Sequence, residues 1–278
     1  MGIMTGQQLS RLYELYNDKE VTFTKDVVAA LNLEPRQVFV KCADAQWPCI
    51  INSSSLSQAK IIIGVTSGAY SYLVKEKASV SLRFHFLQPK DPPISFFVNA
   101  KVANVAPFGD SNELVIVTLA FTQRPPDDLI EIIGAFIETA VNFASRKDER
   151  IPVNPETKRK LGLAREELAA QIQGVPRNCV LRDLCFGGAR IILMGLQKFI
   201  LDKEALLRLE FDDIGPLELR GRVVGTESVQ DRRDIFVAVI RFDDGSIPMA
   251  FKMRLNSYIT TLKKPQGAGD SVIPGITG

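Results

Sequence analysis

Two short clusters hold the residues of this chain best suited to binding chemistry. The first is Arg146-Lys147-Asp148-Glu149-Arg150, an arginine pair spaced RxxxR. The second is Asp183-Leu184-Cys185-Phe186-Gly187-Gly188-Ala189. It offers an acid, a small polarisable residue two positions on, and a glycine turn between apolar runs that read as strands. Arginines clamp phosphate oxygens, stack on bases and pair with the O6/N7 edge of guanine. A carboxylate accepts from guanine N1–H and N2–H2. The two clusters together suit a guanine-bearing phosphodiester, and no other part of the chain offers a comparable set.

The elements around the clusters read as strands closed by helices. Gln7 to Asn17 has Leu9, Leu12, Tyr13 and Tyr16 at helical spacing. Val27 to Leu33 reads as one or two further helical turns. Strands are expected at Gln37–Cys42, Pro48–Asn52, Ala59–Val65, Val80–Leu87, Ile94–Ala106 and Glu113–Phe121, all rich in Val, Ile and Phe. Pro125-Pro126-Asp127-Asp128 opens a helix over Leu129–Phe143, with aspartates at the positive end of its dipole. The second half repeats the plan. A helix is expected over Glu156–Ile172, ending at Gly174. Strands follow at Asn178–Asp183, Ala189–Met194, Glu204–Phe211, Leu217–Thr226 and Ile235–Phe242, and then a helix at Met249–Leu262. The fold class is mainly β: two small antiparallel β-barrels, each followed by a helix.

A shift of 130 residues superposes the halves. Tyr16–Val21 falls on Arg146–Ile151, and Ser53–Ile62 falls on Asp183–Ile192. The apolar frame matches while the special residues differ. The first half has Tyr16, Glu20, Ser53 and Gln58 where the second has two arginines, an aspartate and a glycine. The second half is therefore the one expected to bind. The domains are 1–141 and 142–262, with a flexible tail at 263–278.

Composition narrows the function classes. The chain has 278 residues, net charge +2, 46% hydrophobic and 24% charged residues, so no global field draws it to nucleic acid or membrane. No apolar stretch is long enough to span a bilayer, and the N-terminus does not read as a signal peptide. A cytoplasmic location with reduced thiols is expected for Cys42, Cys49, Cys179 and Cys185. The first three read as buried small hydrophobes, and Trp47-Pro48 as core and turn. The single histidine, His85, sits in an alternating strand and reads as structural or solvated. With one histidine and no metal-ligand spacing, neither a zinc site nor histidine-based catalysis is expected.

RxxxR followed by DxSxxG across a strand–turn–strand resembles the PilZ domain, a small β-barrel that binds cyclic di-GMP. Residues 142–262 resemble that domain throughout. The whole chain resembles two-domain PilZ proteins of spirochaetes, in which a divergent PilZ-like domain without ligand motifs comes first. The resemblance implies a cyclic di-GMP receptor with no enzymatic activity and no other cofactor. The implied ligand residues are Arg146, Lys147, Arg150, Asp183, Cys185, Gly187 and Gly188. Arg146, Arg150 and Lys147 would take phosphates or bases. Asp183 would read a guanine edge, and the glycines would let the backbone approach the ligand. Cys185 stands where the motif has serine. A thiol is the weaker hydrogen-bonding group, so about 1 kcal/mol of binding would be lost there, and its oxidation would interfere with the ligand. The arginine segment links the domains, so ligand that orders it would change their arrangement and the binding of an unidentified downstream partner. A monomer that does not insert into membranes is expected.

Two other readings compete. One is a nucleic-acid-binding regulator using Lys158-Arg159-Lys160 and Arg165, placed on the helix after the arginine segment. The other is a degenerate interaction scaffold in which Cys185 marks lost binding.

Overall fold

The structure is a computed structural model that describes residues 4–42, 45–75, 79–88, 91–165, 167–195, 197–229 and 232–262. The tail at 263–278 lies outside the described residues. The chain divides into two compact units between Ser145 and Arg146.

The first unit runs α1 (Gly6–Tyr16), β1 (Val21–Thr22), α2 (Lys25–Leu31), β2 (Phe39–Cys42), β3 (Ala45–Pro48), β4 (Ile50–Ser54), β5 (Gln58–Gly64), α3 (Gly68–Tyr70), β6 (Val80–Phe86), β7 (Ile94–Pro107), β8 (Leu114–Phe121) and α4 (Asp127–Ser145). The second runs β9 (Ile151–Pro152), α5 (Pro155–Leu161), β10 (Glu167–Ile172), β11 (Val175–Cys185), β12 (Gly188–Met194), β13 (Glu204–Phe211), β14 (Gly215–Val229), β15 (Arg232–Phe242) and α6 (Met249–Leu262).

The fold is mainly β, as expected, and every strand pairing is antiparallel. In the second unit the order β10-β13-β14-β15-β12-β11 returns to β10, so six strands close a barrel. Its interior holds Leu181, Ile191, Leu207, Leu209, Leu219, Val223 and Ile240, each at most 2% exposed. Helix α6 buries Phe251, Leu255 and Ile259, each side chain contributing roughly 1.5–3 kcal/mol. Phe251 meets Phe242 edge-on at 5.9 Å. In the first unit the counterpart of β11 is split at Cys49 into β3 and β4, which lie at or next to the ends of an eight-strand ladder. Pro48 has no N–H to donate there.

The 130-residue repeat holds at the level of register. Val21 pairs with Ser54 and Ile151 with Leu184; Ser53 pairs with Lys60 and Asp183 with Arg190. Both hairpins carry a bulge at the same place, between Ile51 and Ser53 and between Leu181 and Asp183. Helices α2 and α5 also coincide. Thr24 and Asn154 cap their starts, and Asn32 and Gly162 end them in the left-handed region at φ 53° and 64°. Such caps contribute about 1 kcal/mol each.

The helix expected over Glu156–Ile172 is corrected. It stops at Leu161, and Glu167–Ile172 is the strand that closes the barrel. Leu168, Ala170 and Ile172 are buried with a period of two, which a strand satisfies and a helix does not. Gln173 and Gly174 have φ of 53° and 76°, and Ile172 pairs directly with Val175. They form a two-residue hairpin turn, not a helix end.

Candidate ligand-binding site

The structure brings the two clusters together. Residues Arg146–Glu149 form a turn, with Glu149 N–H donating to the Arg146 carbonyl at 3.1 Å. Strand β9 follows and pairs with Asp183 and Leu184 of β11. That pairing seats Arg150 against the acid: its Nη1 donates to Asp183 Oδ1 at 2.5 Å. Asp183 is buried at 6% exposure. The turn is tied from the other side as well, where Gly187 N–H donates to the Lys147 carbonyl at 2.9 Å. Lys147 Nζ lies 2.5 Å from Asp244 Oδ2, so its charge is met from the loop before α6.

Arg190 belongs to this group and was missed in the sequence. It lies directly across from Asp183 on β12. Its Nη1 is 3.8 Å from Asp183 Oδ2 and its Nη2 3.2 Å from Glu227 Oε1. The signal for it is Lys60, its counterpart in the repeat. The first unit places Glu20 against Lys60 at 2.8 Å, and hydrogen bonds from Lys60 and Ser53 hold the Glu20 carboxyl below its ordinary range. Glu20 occupies the position of Arg150. The first unit therefore presents an acid where the second presents a cation.

Three guanidinium nitrogens in the second unit are buried without a hydrogen-bond partner among the described residues: Arg177 Nε, outside the two clusters, and Arg146 Nη1 and Arg190 Nε at them. Buried donors left unmade cost roughly 1–3 kcal/mol each. Anionic ligand oxygens are the acceptors that would relieve the latter two.

The glycines do something other than shape the turn. Neither Gly187 nor Gly188 has positive φ. A Cβ on Gly188 would stand 2.2 Å from the Ile240 carbonyl oxygen on β15, so the close approach there is to a neighbouring strand. A Cβ on Gly187 would meet Lys147 Cγ at 2.8 Å, so this glycine seats the lysine.

Cys185, expected in the motif's serine position, sits at the hairpin turn. It is 1% exposed and its thiol donates to the Gly188 carbonyl at 3.4 Å. Burial raises its pKa, partly offset by Arg150, which keeps it protonated and argues against the expected oxidation sensitivity. Ser55 makes the matching contact in the first unit, to the Gln58 carbonyl at 3.5 Å, and also accepts from Gln58 N–H at 3.1 Å. Cys185→Ser should therefore raise stability by up to about 1 kcal/mol. Denaturant midpoints compare the two, and a lower midpoint for the serine variant would contradict this role. Cys49 and Cys179 are buried as expected, which pushes their thiols to about 12 and about 11.

The basic run is less available than its sequence suggests. Lys160 pairs with Glu156 at 2.6 Å, and Arg165 lies outside α5, paired with Glu210 at 2.5 Å. Among the described residues no group of acids, cysteines and histidine is placed to hold a metal ion, and no helix is long and apolar enough to cross a membrane.

A closed barrel whose acid-bearing hairpin receives an RxxxR segment is the arrangement that the PilZ resemblance implies. The PilZN3 domain model matches residues 7–140. A cyclic di-GMP binding protein of Treponema denticola is 43% identical over 282 residues, covering 99% of this chain and 90% of that protein. The chain belongs to the PilZ family. Among solved structures, Borreliella burgdorferi PlzA in complex with c-di-GMP covers 91% of this chain and 98% of its own at 20% identity, with a TM-score of 0.41. Escherichia coli YcgR in complex with c-di-GMP covers 94% and 96% at 13% identity, with a TM-score of 0.29.

Proposed function

We propose that this protein is a receptor for cyclic di-GMP. Arg146, Lys147 and Arg150 take its phosphates and guanine faces, Asp183 takes a guanine edge, and Arg190 supports Asp183. The observation that carries the reading is the convergence of four cations and one buried acid on a single hairpin, with two guanidinium nitrogens left without acceptors. The name of the 43% identical relative points the same way. The residues supply binding and orientation; the reading includes no catalytic step.

The ligand would exchange partners at the site. Lys147 is held by Asp244, whose side chain is 59% exposed, and that bridge must open for the lysine to reach a phosphate. Exposed bridges contribute about 0.2–1 kcal/mol. Asp244→Asn is therefore expected to tighten binding up to about fivefold; weaker binding in this variant would contradict the exchange. The arginine segment directly follows α4 in the chain, so ordering it on a ligand would alter the arrangement of the two units and the surface offered to a downstream partner.

Calorimetric titration with cyclic di-GMP tests the reading. Saturable binding is expected, lost in Arg146→Ala. Binding that survives both Arg146→Ala and Arg150→Ala at full strength rejects this site. Small-angle scattering with and without ligand tests the rearrangement, and identical curves at saturation reject it.

A further inference from the structure

The first unit carries a separate set of recognition residues on the outer face of its sheet. Val40, Leu82 and Val98 point inward and are at most 1% exposed. Their neighbours on β2, β6 and β7 therefore point outward. Register aligns Phe39, Arg83 and Phe97 in one row across the three strands, and Lys41, Ser81 and Asn99 in the next. Lys101 continues β7 beyond the second row. A groove of about 480 Å³ runs between Lys41, Ser81, Phe97, Asn99 and Lys101, within the roughly 300–1,000 Å³ range of ligand sites.

The chemistry of this face is uniform. Phe97 is 48% exposed. The Arg83 guanidinium lies 5.8 Å from the centre of the Phe39 ring and is steadied by Gln37 Oε1 and Ser95 Oγ, each at 3.4 Å. Ser81 Oγ donates to Asn99 Oδ1 at 2.7 Å, and the Asn99 amide group adds donors to the groove. Lys41, Arg83 and Lys101 form no ion pair among the described residues, and neither row holds an acid.

The second unit supplies an internal comparison. Its matching groove, about 410 Å³, is lined by Gln171, Glu204, Leu206, Arg220, Arg222 and Asp243. Ala169 and Glu218 stand where the first unit has Phe39 and Phe97. The second barrel keeps cations on this face, Arg208, Arg220 and Arg222, but adds acids and has no exposed ring there, so the rings of the first unit are not a requirement of the fold.

We propose that this face binds single-stranded nucleic acid. Bases stack on Phe97 and on the Phe39–Arg83 pair, and phosphates follow Lys41 and Lys101. Rings interleaved with cations on an open antiparallel face serve this purpose because every base has a π face and every linkage a charge. An anionic membrane or an acidic peptide would use the cations but not the rings.

The test uses the full chain, without cyclic di-GMP, and fluorescence anisotropy of labelled oligo-uridine and oligo-thymidine. Saturable binding that weakens with salt is expected. Phe97→Ala should weaken it roughly tenfold, the loss of one stacked base, with an unchanged melting temperature. Lys41→Ala combined with Lys101→Ala should flatten the salt dependence. A preference for one oligonucleotide would identify RNA or DNA as the partner. The proposal is overturned by absent binding at low salt or by binding indifferent to Phe97. It is also overturned if heparin or phosphatidylserine vesicles compete as well as the oligonucleotide, or if only neutralising Lys158, Arg159 and Lys160 removes binding.

Discussion

Replacing Arg150 by alanine is expected to weaken cyclic di-GMP binding by about a hundredfold and also to destabilise the second unit. A charge-assisted hydrogen bond contributes roughly 1.5–3 kcal/mol. Losing Arg150 also leaves Asp183 facing the ligand phosphates with one fewer cation between them. The same change removes the donor 2.5 Å from a carboxylate whose side chain is 9% exposed. Breaking a buried pair from one side costs about 3–5 kcal/mol. Arg190, 3.8 Å from the other carboxylate oxygen, recovers part of that, so a net loss of about 2 kcal/mol of stability is expected. Arg150→Lys separates the two effects. It keeps a charge for Asp183 but loses the planar fork, so stability should largely return while affinity does not. Calorimetry and denaturant unfolding on the three proteins read both quantities, and full affinity in the lysine variant would show that Arg150 acts only as a charge.

The second large effect belongs to Gly188. A methyl group there would sit 2.2 Å from the Ile240 carbonyl oxygen and 3.5 Å from Arg241 Cα, both backbone atoms of the strand paired with β12. Backbone cannot turn aside as a side chain can. Gly188→Ala must push β12 and β15 apart in a closed barrel, and about 3 kcal/mol or more of stability should be lost. That corresponds to a drop in melting temperature on the order of 10 °C. The first unit holds Gln58 at the matching position, so the approach of β15, not the turn itself, excludes a side chain. Gly187→Ala is the contrasting case. Its new methyl meets Lys147 Cγ and Cε at 2.8 and 3.0 Å, atoms of a flexible chain that can move. A mild loss of stability is expected, along with a displaced Lys147. Similar melting temperatures for the two alanine variants would refute this difference.

Most of the fold is legible in the sequence because its strands are long and apolar, with turn residues between them. Ala189–Met194 is largely apolar and Glu204–Phe211 alternates, clearly enough for both to be placed to within a residue. Glu167–Ile172 is not legible. Its glutamate, leucine, alanines and glutamine are all strong helix formers, and only pairing with β11 and β13 makes it a strand. At the site, Arg146, Lys147, Arg150 and Asp183 are visible because spacing within two short clusters exposes them. Arg190 is hidden because its link to Asp183 runs across the hairpin. The glycines are visible as special, but the reason at Gly188 is a strand that arrives from more than fifty residues later in the chain.

The bulge between Leu181 and Asp183 constrains how this hairpin can change length. Cys179 and Leu181 face the interior, and after the bulge it is Leu184 that does so. The added residue resets the alternation and so turns Asp183 toward the arginines. Were the strand to run on without the bulge at its present length, residue 183 would carry a carboxylate into the barrel and Leu184 would be expelled. Deleting Arg182, the extra residue, leaves Asp183 outside and Leu184 inside, so a deletion is expected to be tolerated at this position. A one-residue insertion between Cys179 and Leu181 reverses the alternation and should survive only when a deletion at the bulge compensates it. The first unit keeps the same bulge without the acid, so the geometry persists where the arginine–aspartate chemistry does not.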